Sequence, residues 1–348
     1  MRVLQAPSNI ANIAWAMARG LRGRGHHVEV WNHGPSPNGF PLDRVFDVGR
    51  EPGPYLDCLN EALEAGFEIF HFHGPRTLVA GRRQLPAMWD LPLLSSLGKR
   101  LVFTFHGSDI RLASHHAADD RWSFYNHADI PCDEARIKAR LELVSAYADH
   151  MTVGSVLDLP YAPDAIYVPK PVDPDAYRHV GLRRRRRPVV LHATRRRATK
   201  GTAFIEQGVE VARRSGRFEF RLVENASHGQ LLEAMADADI VVEKVLGGDA
   251  GVLSLEAMAM GKVAVARIRD EVRERHPNLP VVSADPETFG DVLAELVSDR
   301  RRREWVAERG RAYVEAEHAP PVVAARLEEL YATPRRRRPQ LPDAWRAF

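Results

Sequence analysis

Apolar residues recur along the chain in short runs separated by stretches of helical period. The first run, residues 2–5, is followed by Ile10, Ile13, Ala14, Met17 and Leu21 on one helical face, and Gly23 and Gly25 close that stretch. A second run, His27-Val28-Glu29-Val30-Trp31, comes next, and strand, helix, strand within about 30 residues predicts a βαβ unit. The pattern continues with predicted strands at 67–73, 100–106, 150–153 and 166–169 and a helix over 133–147. A second series begins at residue 189. Its strands are predicted at 189–193, 218–223, 240–243, 263–266 and 279–282, alternating with helices at 202–214, 228–236, 252–260 and 286–299. Phe289, Val292, Leu293 and Leu296 show the i, i+3, i+4, i+7 spacing of a half-buried helix. Helices over 301–316 and 320–331 follow, and a tail from Pro334 carries three prolines and four consecutive arginines.

Strands that alternate with helices make parallel sheets with helices on both faces. The fold class is therefore α/β, with two Rossmann-like, doubly wound parallel-sheet domains facing a cleft. Residues 1–172 form the first domain, 173–187 a proline- and arginine-rich linker, and 188–319 the second domain, with closure about the linker expected. Residues 320–348 are a terminal helix and tail expected to cross back to the first domain, with Trp345 and Phe348 as docking candidates. A length of 348 residues, 45% hydrophobic and 27% charged, suits two globular domains and excludes a disordered chain.

Charge alters this picture little. Lys plus Arg is 49 against 46 for Asp plus Glu, a net charge of +3, too small to make a polyanion the main partner. The arginine runs at 183–187, 195–197, 300–303 and 335–338 sit in different elements without interleaved aromatics, so nucleic acid is not expected. Cys58 and Cys132 allow no disulfide framework and no metal knuckle, which points to the cytoplasm. No stretch approaches the roughly 20 apolar residues of a membrane span, and the start reads as strand and helix, not as a cleaved signal. Peripheral contact with anionic headgroups stays open, as does the choice between monomer and homodimer.

Candidate chemistry lies in loops after strands. Residues 247–266, GGDAGVLSLEAMAMGKVAVA, join a glycine-rich loop to a helix opening near Val252, and such a helix start offers N–H groups and a partial positive charge to a phosphate. A plain strand-to-helix turn, with Glu256 favourably placed in the helix dipole, is the alternative. Residues 191–201, LHATRRRATKG, crowd Arg195, Arg196, Arg197 and Lys200 at the mouth of the expected cleft, where cations can neutralise a leaving diphosphate. Lys200 is one of only six lysines. In the first domain His106-Gly107-Ser108-Asp109 ends a strand, and a histidine there can meet a sugar hydroxyl. His71 and His73 share one face of a strand, and His115, His116, Asp119, Asp120 and His127 are rich in potential ligands, yet no spacing matches a zinc pattern, so no metal is expected. The P-loop, dinucleotide, zinc-protease and nucleophile-elbow motifs are absent.

Taken in order, HGSD at 106–109, VPKPVD at 168–173, the basic loop ending in Lys200-Gly201, ADADIVVEKV at 236–245 and LEAMAMGKVAV at 255–265 resemble the GT4 type of GT-B glycosyltransferase over about residues 1–330. The resemblance implies retaining, metal-independent transfer from a nucleotide sugar of UDP, GDP or dTDP type, with no other cofactor and no protein nucleophile. It places Arg195 and Lys200 on the donor diphosphate, with Arg197 as an alternative to Arg195, and His106 at the donor sugar. Glu256 would hold the ribose, and the N–H groups of Gly251, Val252 and Leu253 the phosphates. Ser8 and Asn9 stand in the first domain's loop, with Asp109 also on the acceptor or sugar side. One departure is Gly248, which occupies the place of the first Glu in the family's E-x7-E pair; Asp249 or Glu243 then takes over the sugar contact, or backbone alone does. The acceptor, a small molecule, peptide or glycan, is not identified, and the irregular segment 110–131 is expected to grip it from the first domain. A nucleotide-sugar epimerase and a non-catalytic relative of the same fold are the alternative readings.

Overall fold

A computed structural model describes residues 1–49, 51–79 and 86–334; the tail from residue 335, with Trp345 and Phe348, lies outside the described residues. Among the described residues the strands form two parallel sheets. The first contains β1 (Arg2–Ala6), β2 (His27–His33), β3 (Arg44–Phe46), β4 (Ile69–His73), β5 (Arg100–Phe105), β6 (His150–Val153) and β7 (Ala165–Tyr167) in the order β3-β2-β1-β4-β5-β6-β7. The second contains β8 (Val189–Thr194), β9 (Glu219–Glu224), β10 (Ile240–Lys244), β11 (Val263–Ala266) and β12 (Val282–Ser283) in the order β12-β11-β10-β8-β9. Both are doubly wound, and strand order reverses beside β1 in one and beside β8 in the other. Loops at the carboxyl ends diverge there, which leaves room for a ligand.

The chain divides into two compact units. One comprises residues 1–111, 133–171 and the chain from Pro320 on; the other comprises 112–132 and 172–319. The division departs from the sequence-based boundaries at two places. Residues 112–132 belong with the second unit, because Arg267 grips both carboxylate oxygens of Asp120 at 2.5 and 2.8 Å, Arg269 reaches Asp119 at 2.5 Å, and Trp122 packs edge-on to Phe204. Residues 173–187 are also part of that unit. Arg183 N–H donates to Asp239 and the Arg185 guanidinium to Asp237, so the expected linker is fastened down along its arginine run.

Packing explains which apolar positions matter. All five residues of β4 are buried, His71 and His73 included, as expected for a strand covered on both faces. The helix Ile13–Gly23 buries Ile13, Ala14, Met17 and Leu21 and meets the terminal helix Pro320–Ala332 at Gly20, where an added Cβ would lie 2.1 Å from the Pro320 carbonyl oxygen. In the second unit, helix Phe289–Ser298 buries Phe289, Leu293 and Leu296, each such side chain contributing roughly 1.5–3 kcal/mol. It packs on helix Thr202–Arg213, where Gly208 makes room for the Phe289 ring.

The strand expected at 279–282 is only Val282–Ser283. The Arg273 guanidinium takes the carbonyls of Leu279 and Val281 at 2.6 and 3.2 Å, so those groups do not enter a ladder. Strand β3 and the helices Gly53–Glu64 and Asp90–Ser96 were not anticipated. Among the described residues no helix is long and apolar enough to cross a membrane.

Candidate functional site

In the second unit the chain leaves β8 at Thr194, turns through Arg195 and Arg196 and forms the short helix Arg197–Lys200. Gly201 follows at φ +74°, and its missing Cβ lets this turn press against Val245 and Leu246 beyond β10. Val245 N–H also donates to the Lys200 carbonyl at 3.1 Å. Lys200 is thus set beside Glu243, and its Nζ donates to Glu243 Oε1 at 2.9 Å.

Glu243 is the centre of this cluster. Its Oε2 accepts from Gly251 N–H at 2.7 Å and from the Ser254 hydroxyl at 2.6 Å, so the carboxylate sits on the N-terminus of helix Val252–Ala259. Burial pushes its pKa up, but Lys200, Lys244 and Ser254 together outweigh that and leave it well below the usual carboxylate range. Gly251 must be glycine, since a Cβ there would lie 2.0 Å from Glu243 Oε1. The N–H groups of Val252 and Leu253, in the first turn, have no intrahelical acceptor by helix geometry.

One turn on, Glu256 is 4% exposed and its Oε1 accepts from the Tyr177 hydroxyl at 2.8 Å and lies 3.0 Å from His228 Nε2. His228 opens a helix, His228–Asp237, whose start is fixed by a capping box between Ser227 and Gln230. The glycine-rich loop before Gly251 is held by the 112–132 segment. Gly247 N–H donates to the Trp122 carbonyl, and Arg267 bridges Asp120 to the Gly247 carbonyl.

The other candidates of this unit lie differently. Arg195 donates to the Ala226 carbonyl at 2.8 Å, close to the loop that carries His228. The Arg197 guanidinium is taken by Glu206 at 2.7 and 2.8 Å and by Glu224 at 3.1 Å, which turns it away from Glu243. Asp249 lies in the loop between Gly248, whose carbonyl accepts from Arg269 N–H, and Gly251. Several arginines of the basic runs are paired with carboxylates, Arg185 with Asp237, Arg300 with Glu304 and Arg302 with Glu295.

In the first unit, β5 ends at Phe105 and is followed by His106, whose backbone N–H donates to both oxygens of Asp109 at 2.9 and 3.1 Å. Asp109 therefore shapes the turn, and burial raises its pKa to about 6. Gly107, at φ +92°, leaves space for the Arg111 guanidinium, which pairs with Asp158 at 2.6 Å. The ring of His106 lies beside that of His73 and nearly parallel to it, with His106 Nε2 3.3 Å from His73 Nδ1. Asn9 is used internally: its N–H donates to Asn32 and its side-chain oxygen accepts from Trp15 N–H. The buried Ser8 hydroxyl oxygen has no hydrogen-bond partner among the described residues. Among the described residues no three His, Cys, Asp or Glu side chains are grouped to hold a metal ion.

The structure thus brings Lys200, Glu243 and Gly251 together, with Glu256 one turn beyond. Three partners were not foreseen: Tyr177, His228 and Ser254. Ser254, three residues after Gly251, was within reach of helix periodicity; the other two come from distant elements.

Residues 10–136 match the model of Glycosyltransferase Family 4. Among solved structures, HepE from Anabaena in complex with UDP and glucose superposes with a TM-score of 0.61 at 12% identity, over 95% of this chain and 99% of that one. The catalytic domain of starch synthase IV from Arabidopsis thaliana, bound to ADP and acarbose, gives 0.63 at 13% identity over 95% and 98%. Sucrose-phosphate synthase from Thermosynechococcus elongatus gives 0.61 at 14% identity, with the same coverage. The chain has the GT-B fold. No curated protein matches the sequence.

Proposed function

We propose that this GT-B protein is a retaining, metal-independent glycosyltransferase of the GT4 type, moving a sugar from a nucleoside-diphosphate donor to a hydroxyl-bearing acceptor. The observation that carries the reading is Lys200 and Glu243 meeting the Gly251 end of helix Val252–Ala259 at the switch point of the second sheet. A diphosphate arriving there takes the N–H groups of Val252 and Leu253 and competes with Glu243 for Lys200 and for the Gly251 N–H. As the glycosyl–oxygen bond breaks, the acceptor oxygen bonds to the anomeric carbon and its proton passes to the departing phosphate, whose growing negative charge Lys200 and Arg195 neutralise. Glu256, steadied by Tyr177 and His228 on Oε1, keeps Oε2 for the ribose hydroxyls. Glu243 stands in for the acid missing at Gly248. A cytoplasmic location goes with this reading, both cysteines being free thiols.

The test is the thermal shift of the protein with UDP, GDP, dTDP and ADP, alone and as their sugars, with and without chelator. One base should stabilise the protein, by roughly 2.7 kcal/mol at 100 times its dissociation constant, with no effect of chelator and about tenfold weaker binding in Glu256→Ala. Absence of a shift with every nucleotide overturns the reading.

A further inference from the structure

The first sheet carries a continuous chain of buried hydrogen bonds whose direction can be worked out from its ends. The Tyr331 hydroxyl, on the terminal helix, lies 2.6 Å from His71 Nδ1. A buried phenol gives its proton to an acceptor, so Nδ1 of His71 accepts and its proton is on Nε2. That Nε2 meets Thr104 Oγ1 at 2.6 Å, Thr104 passes its own proton to Thr152 Oγ1 at 2.6 Å, and Thr152 ends on the Phe103 carbonyl at 3.4 Å. Gln5 faces the same His71 Nδ1 with its amide nitrogen at 3.4 Å. Its carbonyl end therefore faces His73 Nε2, at 2.7 Å, and His73 must donate there.

A neutral imidazole has one N–H. All three histidines are held neutral: burial lowers His71 to about 3 and His106 to about 4, with His106 acting on His71 and Lys170 on His106, and drives His73 well below the ordinary value. With its proton on Nε2, His73 can only accept at Nδ1, so His106 Nε2 donates across the 3.3 Å contact. His106 Nδ1 is then a bare lone pair. It takes no hydrogen bond among the described residues, and His106 is only half-buried, so Nδ1 can meet a ligand. Strand register makes this possible, since Gln5 pairs with His71 and Thr104 with both His73 and Thr152 across adjacent strands.

We propose that Gln5 and His73 are positioning residues that hold His106 as its Nε2–H tautomer, so that Nδ1 accepts a hydrogen bond from a hydroxyl of the bound sugar. The choice of ligand rests on the glycosyltransferase reading; the tautomer does not. A ring fixed in this way prefers a sugar that offers a hydroxyl proton over one that offers only an acceptor oxygen.

The test is long-range proton–nitrogen NMR on the full-length protein labelled with nitrogen-15, with His106 assigned by its loss in His106→Asn. In the wild type, Nε2 of His106 should read as the protonated nitrogen and Nδ1 as the bare one. In Gln5→Leu, which removes the acceptor for His73, the His106 Nδ1–H form should appear. Wild-type His106 protonated on Nδ1, or a tautomer unmoved in Gln5→Leu, overturns the proposal, and the wild-type reading decides alone should the variant not fold. Nucleotide sugars and their deoxy or O-methyl analogues are then compared by thermal shift. A wild type with the expected tautomer that binds no nucleotide sugar keeps the positioning and rejects the glycosyltransferase reading. Loss of preference for the hydroxyl-bearing sugar in Gln5→Leu, with the bare nucleotide still bound as in wild type, supports both.

Discussion

The carboxyl edges of the two sheets solve the same problem with opposite chemistry. In the second, charge dominates: Lys200 and Lys244 face a buried Glu243 on a helix N-terminus, and Glu256 sits beside His228. In the first, three histidine rings lie nearly parallel with centroids 5.3 and 5.4 Å apart, and burial above all holds each of them below the ordinary histidine pKa. On the proposed reading, the ionic edge suits the departure of a diphosphate and the neutral edge suits the reading of hydroxyls. The difference lies in what the carboxylates meet: Glu243 pairs with lysines in the second unit, whereas Asp109 in the first accepts from the backbone N–H of His106 and not from a ring.

The contrast is broken most sharply at Lys200. Removing it leaves Glu243 a buried anion whose cationic neighbour is Lys244, at 3.7 Å, with the Gly251 N–H and the Ser254 hydroxyl still donating to it. Lys200→Met should cost about 2–3 kcal/mol in urea unfolding, short of the roughly 3–5 kcal/mol of a fully buried pair because Lys200 is 27% exposed. Lys200→Met with Glu243→Leu should recover most of that cost while nucleotide binding stays lost; a purely additive double variant would show that the two side chains are not coupled.

A smaller effect sharpens the neutral side. The folded pKa of His71, about 3, lies below its unfolded value of about 6.5, so the unfolded chain binds the proton first as pH falls. His71 therefore contributes stability at neutral pH that drains away below about 6.5. Between pH 7 and 5 the wild type should lose about 2 kcal/mol more than His71→Phe, measured by urea unfolding at both pH values. Equal losses would mean that His71 is protonated in the folded protein. The least effect is expected from Tyr331→Phe, which removes one buried donor and should cost about 1 kcal/mol in the same assay.

Much of the fold was legible from residue order because its signals are local. Hydrophobic runs alternating with helical periods are written within each strand and helix, and Gly251 with the following helix carries its own start signal. Lys200, Glu243 and Glu256 were legible as candidates since they stand at the end of a strand or on the first helix after one. Their partners were not. Tyr177 and Glu256 are 79 residues apart, and His71 and Tyr331 are 260 apart. Nor did spacing show that Arg197 faces Glu206 and Glu224, or that residues 112–132 pack with the second unit through Asp120 and Arg267.

By itself the sequence determined the α/β class, the two parallel sheets and the glycine-opened helix, since period and backbone freedom act over a few residues. Only the tertiary structure decided which acid sits on that helix, which arginines are taken by surface carboxylates, and which nitrogen of His106 faces His73. Those outcomes depend on burial and on donors and acceptors brought together from distant strands, and neither is a property of any short stretch of chain.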